Sequence, residues 1–181
     1  ALMPHRHSLS LGSIRSLSPA VAVILADHKG LMLRLDGLRK IAPEAAASLA
    51  RYPGSLSFGG LDALSTEAAA ALSSHGLGLS FPGLQEISAD TAAALAPHRG
   101  MLYLDGLASL PVDAATSLAR HDGVMLSFSH LAELSDEVAV ALAAYGGVLS
   151  LTGLTTLSER AALALADRPA KVVLTGLQPK P

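Results

Sequence analysis

The chain repeats itself every 23 or 24 residues, and this period limits what it can fold into more than any other feature. Leu56 to Gly78 reads Leu-Ser-Phe-Gly-Gly-Leu-Asp-Ala-Leu-Ser-Thr-Glu-Ala-Ala-Ala-Ala-Leu-Ser-Ser-His-Gly-Leu-Gly, and Leu33, Leu56, Leu79, Leu102, Leu126 and Leu149 each open a copy of it. A looser copy opens at Leu9 and a shortened one at Val172. A fixed period of this length marks a stacked array, whose units each contact only their neighbours. The pattern predicts a tail over residues 1–8, a solenoid over 9–177 and a second tail over 178–181.

Each repeat contains three segments. Leu-x-Leu or Leu-x-Phe comes first, as in Leu33 and Leu35 or Leu56 and Phe58. Alternation at period two over so few residues predicts a short, half-buried strand. A turn follows, with Gly37, Gly60, Gly83, Gly106, Gly153 and Gly176 at one position. Glycine there serves either a positive φ or close approach to the next coil. Ser13 and His130 replace it in two copies, and histidine tolerates the left-handed region better than most residues.

The third segment reads as a helix. Ser18, Ser65, Ser88, Ser135 and Ser158 stand at the N-cap, and Glu44, Glu67, Asp90, Asp113 and Glu137 follow in the first turn, where a carboxylate meets the positive end of the dipole. Leu25, Leu49, Leu72, Leu95, Leu118, Leu142 and Leu165 then each follow an alanine by three residues. The two share a face, so leucine fills the core while alanine lets the next helix approach. Gly30, Gly54, Gly76, Gly100, Gly123 and Gly146 come after each helix and are expected to be its C-terminal stop. Strands stack at about 4.8 Å and helices at about 8–10 Å, so the array is expected to curve with its strands inside.

These features resemble a leucine-rich repeat. The Gly-Leu-x-x-Leu-Ser variant, with Glu-Ala-Ala ahead of a Leu-Ala pair, is similar to arrays in some bacterial proteins, and the likeness runs from Leu9 to Leu177. It implies an α/β fold: a right-handed solenoid of about seven strand-turn-helix repeats with a parallel sheet on the concave face and helices on the convex one. It also implies protein recognition on the concave face and no chemistry. The chain departs from the family in lacking the asparagine that usually follows the strand. Leu38, Leu61, Leu84, Leu107, Leu131 and Leu154 stand there instead, so the usual side-chain hydrogen-bond ladder is expected to be missing.

The residue between the two strand hydrophobes forms the candidate binding column: Ser10, Arg34, Ser57, Ser80, Tyr103, Ser127, Ser150 and Val173. Its large members are Arg34 and Tyr103, of types favoured as interface anchors, and Asp36 and Asp105 follow each by two positions. A second column, His28, Tyr52, His75, His98, His121, Tyr145 and Arg168, falls three residues after each core leucine. Stacked imidazoles could bind metal or sense pH, but rings one repeat apart point the same way rather than converge. Hydrogen bonding to the last helix carbonyls is the simpler expectation. His5 and His7 lack a third ligand nearby, so no metal or other cofactor is expected.

Composition narrows the function classes. Net charge is −2 with scattered Lys and Arg, which argues against nucleic acid, since phosphate binding needs a clustered basic face. No cysteine is present, so thiolate chemistry and disulfides are excluded, while cytoplasmic and extracellular locations both stay open. No signal-peptide pattern is visible, and no apolar run is long enough to predict a membrane span. The motifs H-E-x-x-H, G-x-S-x-G, G-x-x-x-x-G-K and G-x-G-x-x-G do not occur. The expected function is therefore a non-enzymatic scaffold whose concave surface binds a protein partner. Its rival is a structural protein that stacks copies of itself end to end into a filament, through Leu9, Leu11, Val173 and Leu174. That contact does not close on itself, although Pro4, Pro179 and Pro181 discourage edge pairing.

Overall fold

The computed structural model describes residues 8–168 and 170–175. Residues 1–7 of the expected tail over 1–8, with Pro4, His5 and His7, lie outside them, as do Gly176, Leu177 and the terminal prolines. Among the described residues eight strands alternate with seven helices: β1 Leu9–Ser10, α1 Pro19–Ala26, β2 Met32–Arg34, α2 Pro43–Leu49, β3 Ser55–Ser57, α3 Thr66–Leu72, β4 Leu79–Ser80, α4 Ala89–Leu95, β5 Met101–Tyr103, α5 Val112–Leu118, β6 Met125–Ser127, α6 Asp136–Ala143, β7 Val148–Ser150, α7 Glu159–Ala166 and β8 Val172–Val173. The strands form one parallel sheet in sequence order. Leu33, Leu56, Leu79, Leu102, Leu126 and Leu149 are register partners along it, with Leu9 at one end and Val172 at the other. The architecture is an open α/β repeat solenoid.

The core is a continuous ribbon between the sheet and the helix layer. Every strand leucine from Leu33 to Leu149 is buried, and Phe58 stacks on Phe81 at 5.5 Å. Two helix columns divide the coil-to-coil contact. Ala45, Ala68, Thr91, Ala114, Val138 and Ala161 are buried, but Val21 in the same column of the first coil is 42% exposed, so this column faces the preceding coil. The next column is buried from Ala22 to Ala139 and exposed at Ala162, so it faces the following coil. Small side chains on both sides keep neighbouring helices close.

The five expected N-cap serines each accept the predicted bond. Ser18, Ser65, Ser88, Ser135 and Ser158 take the amides of Val21, Ala68, Thr91, Val138 and Ala161. Helices α2 and α5 instead start from Ala42 and Pro111 with no side-chain cap.

The glycines after the helices are not C-terminal stops. The C-caps are Asp27, Ala50, Ser73, Ala96, Ala119, Ala144 and Asp167, all in ordinary right-handed geometry. The chain then closes one more turn, as in Tyr52 N–H to Leu49 O and His98 N–H to Leu95 O. Crowding explains several of the glycines. A Cβ on Gly54 would lie 2.4 Å from Leu31 O, and one on Gly100 would lie closer still to Leu77 O.

The turn glycines answer to the same cause, because no described residue has a positive φ. A Cβ at Gly37, Gly60, Gly83, Gly106 or Gly153 would sit 2.2–2.4 Å from a carbonyl oxygen of the preceding coil. Ser13 belongs to the first described coil, so no described coil precedes it. His130 does not adopt the left-handed conformation expected of it. The described coils with glycine close the turn by an i+3 bond, such as Leu38 N–H to Leu35 O and Leu107 N–H to Leu104 O, and the Ser13 coil does so too, through Ile14 N–H to Leu11 O. No such bond joins Leu131 to Phe128, the coil that carries His130.

Candidate functional site

Alternation along the strands sets which side chains leave the core. Beside the column of Arg34, Ser57, Ser80, Tyr103, Ser127 and Ser150, it places Met32, Met101 and Met125 on the same face two positions earlier. The contacts agree: the Tyr103 hydroxyl lies 3.2 Å from Met101 Sδ, and Arg34 Nε lies 3.3 Å from Met32 Sδ. Met101 and Met125 are register partners. The methionines were legible from the same alternation, but reading a single column overlooks them. Arg34 is exposed and Tyr103 half-buried, with its ring edge near Gly78. Ser57 and Ser80 are half-buried, and Ser127 and Ser150 are buried. The serines therefore form a tight floor from which Arg34, Tyr103 and the methionines stand out.

Asp36 and Asp105 have a structural task. Asp36 Oδ1 accepts the Ser57 hydroxyl at 3.0 Å and the Gly59 amide at 2.9 Å. Asp105 Oδ1 accepts the Ser127 hydroxyl at 2.8 Å and the Ser129 amide at 3.0 Å. Each carboxylate thus ties its coil to the next through two bonds, of the stronger charge-assisted kind. Leu38, Leu61, Leu84, Leu107, Leu131 and Leu154 are buried in the core. On the strand face, cross-coil side-chain bonding is thus supplied by Asp36 and Asp105. These bonds fix the floor beside Arg34 and Tyr103.

The second column is an interior one along the edge where helices return to strands. His28 is exposed, whereas Tyr52, His75, His98, His121, Tyr145 and Arg168 are buried. His75, His98 and His121 stack at 6.3 and 5.7 Å with rings 5° and 23° from parallel. Tyr145 continues the stack at 5.9 Å, and the Arg168 guanidinium lies 5.8 Å from its ring centre. The polar atoms reach back to the preceding coil rather than to their own helix. His75 Nδ1 lies 3.2 Å from Ala50 O, the Tyr145 hydroxyl donates to Gly123 O at 2.8 Å, and Arg168 donates to Tyr145 O and Gly147 O. Parallel rings cannot aim their lone pairs at one point. No group of three metal-ligating side chains occurs among the described residues.

Burial dominates the protonation chemistry of this edge. Desolvation holds His75, His98 and His121 below the ordinary imidazole value, against smaller opposing contributions from backbone groups. It pushes Tyr145 up to about 12, with the Arg168 charge pulling the other way.

The residues nominated for self-association occupy the first and last coils. Leu9 pairs with Leu33, and the Leu11 amide donates to Arg34 O. Val173 pairs with Ser150, and Leu174 packs on the core. Elsewhere, a groove of about 540 Å³ on the turn edge is lined by residues including Asp62, Leu64, Glu86, Thr91 and Pro111. No helix among the described residues is long and apolar enough to cross a membrane. Neither a protein-family model nor a curated protein matches the chain.

Proposed function

We propose that the protein is a non-enzymatic scaffold of the leucine-rich-repeat type whose strand face binds a protein partner. The observation that carries this reading is the neighbourhood of Tyr103. An aromatic ring stands between Met101 and the small residue Gly78, on a floor tied down by Asp105. A rigid aromatic anchor loses little entropy on binding. Methionine beside it supplies a soft, polarizable apolar contact. Arg34 lies three rungs away along the column, roughly 14 Å at the strand spacing, and adds a charged contact. Tyr103→Ala should weaken partner binding by at least about 10-fold, the loss expected of an interface anchor. An exposed helix-face change such as Ala70→Glu should leave it unaltered. Equal binding by wild type and Tyr103→Ala would remove the reading.

A second reading, end-to-end self-association, draws on Val21 and Ala162. These are buried positions of the coil stack that are exposed at the two ends of the described residues. Sedimentation across a range of protein concentrations tests it. Growing species that Val173→Lys disperses would favour assembly, and a monomer throughout would exclude it.

A further inference from the structure

We propose that the stacked His75, His98 and His121 form an acid-operated latch, closed while the three rings are neutral and opened when they take up protons. Three imidazoles lie face to face in consecutive coils, and each is at most 5% exposed. Both ring nitrogens of His98 and of His121, and Nε2 of His75, are buried without a hydrogen-bond partner. A proton added to such a ring creates a buried cation beside another ring with the same tendency. That state is expensive unless a counter-charge stands by.

The groups around the stack do not provide one for its centre. His75 faces the Ala50 and Gly54 backbone on one side and His98 on the other. His98 lies among backbone groups of Ser73, His75, Leu77 and Met101. His121 faces Tyr145 and has backbone of Ala96 and Gly100 near it, and Asp122 is the one carboxylate acting on it. Asp122 is exposed, which weakens its pull through solvent screening. Arg99 and Arg120 adjoin the column but are cations themselves. Beyond Tyr145 the next charge is the Arg168 guanidinium, again positive.

The latch holds specific strands. The His98 ring folds over Gly100 and the His121 ring over Gly123, so that a Cβ on either glycine would run into imidazole Nε2. Gly100 immediately precedes β5, and Gly123 lies two residues before β6. Acid should therefore loosen the middle of the sheet before its ends. Stability is complete above the ordinary imidazole range and falls as pH drops below about 6.5, because the unfolded chain binds protons before the folded one does. Desolvation of the rings gives the same sign. This inference stands on the stack alone and does not depend on what the strand face binds.

The test is urea unfolding at about pH 7.5 and about pH 5, a window above most carboxylate titration. The comparison is with His98→Tyr/His121→Tyr, since Tyr145 already fills this position ahead of Gly147. The wild-type midpoint should fall by about 1 M urea or more, and the double variant should lose less than about half of that. A wild-type midpoint that does not move, or a variant that falls as steeply as wild type, would overturn the latch. Should the variant not fold, imidazole NMR of the wild-type protein decides. Protonation of these three rings only as the protein unfolds supports the proposal. Titration near pH 6.5 with the fold intact contradicts it.

Discussion

The two edges of each coil solve one problem in opposite ways. Both must carry the chain between the strand layer and the helix layer without colliding with the coil below. At the turn edge the side chain is removed: Gly37, Gly60, Gly83, Gly106 and Gly153 let carbonyls of the preceding coil come where a Cβ would stand. At the return edge a flat ring is inserted and stacked, from His75 to Tyr145. The first solution leaves little room for a side chain, and the interior coil that carries His130 in place of glycine lacks the turn bond. The second accepts His, Tyr and Arg in turn, and its stability depends on whether the rings are neutral. One edge is thus steric and the other electrostatic, although both repeat with the same period.

The comparison would be broken most directly by Gly60→Val. It places a branched side chain against Asp36 O and Leu38 O and should cost about 3 kcal/mol or more in chemical denaturation. A loss below about 1 kcal/mol would mean that the turn edge yields easily after all. The next effect belongs to the return edge. His98→Gln at neutral pH should cost about 1–2 kcal/mol from lost packing, and its thermal midpoint should depend less on pH than that of wild type. Smaller again is Ser65→Ala, which removes the cap on the Ala68 amide and should cost about 1 kcal/mol. The helix α2 already begins without such a cap, so Ala42→Ser offers the converse gain. The smallest effect is expected from Arg39→Ala. It breaks the exposed 2.9 Å ion pair with Asp62, worth about 0.5 kcal/mol or less, and salt should erase even that.

The fold was legible because its signals are local and repeated. A leucine recurring at seven of the eight described strands, a serine at five helix starts and an alanine three residues before each core leucine specify strand, cap and packing face without knowledge of any other coil. What was misread depends on contacts between coils. Gly54 and Gly100 look like helix stops within one repeat, yet the Leu31 and Leu77 carbonyls that crowd them belong to the coil before. Asp36 and Asp105 look like free carboxylates until the serines 21 and 22 residues further on are considered as their partners. His130 shows the same lesson in reverse: its backbone is not left-handed, and its coil lacks the turn bond that the neighbouring coils make. Tyr103 and Arg34 were legible as the large side chains of their column. That Met101 backs Tyr103 required the neighbouring column as well.

The claim on which the rest stands is that equivalent residues of successive repeats are neighbouring rungs of one sheet. Because the chain contains no cysteine, spin labels can be placed at Arg34→Cys and Val173→Cys without further changes, and their separation measured by double electron–electron resonance. Six rungs separate β2 from β8, so one narrow distance near about 29 Å is expected at about 4.8 Å per rung. A broad distribution, or a separation far beyond about 35 Å, would contradict the in-register stack.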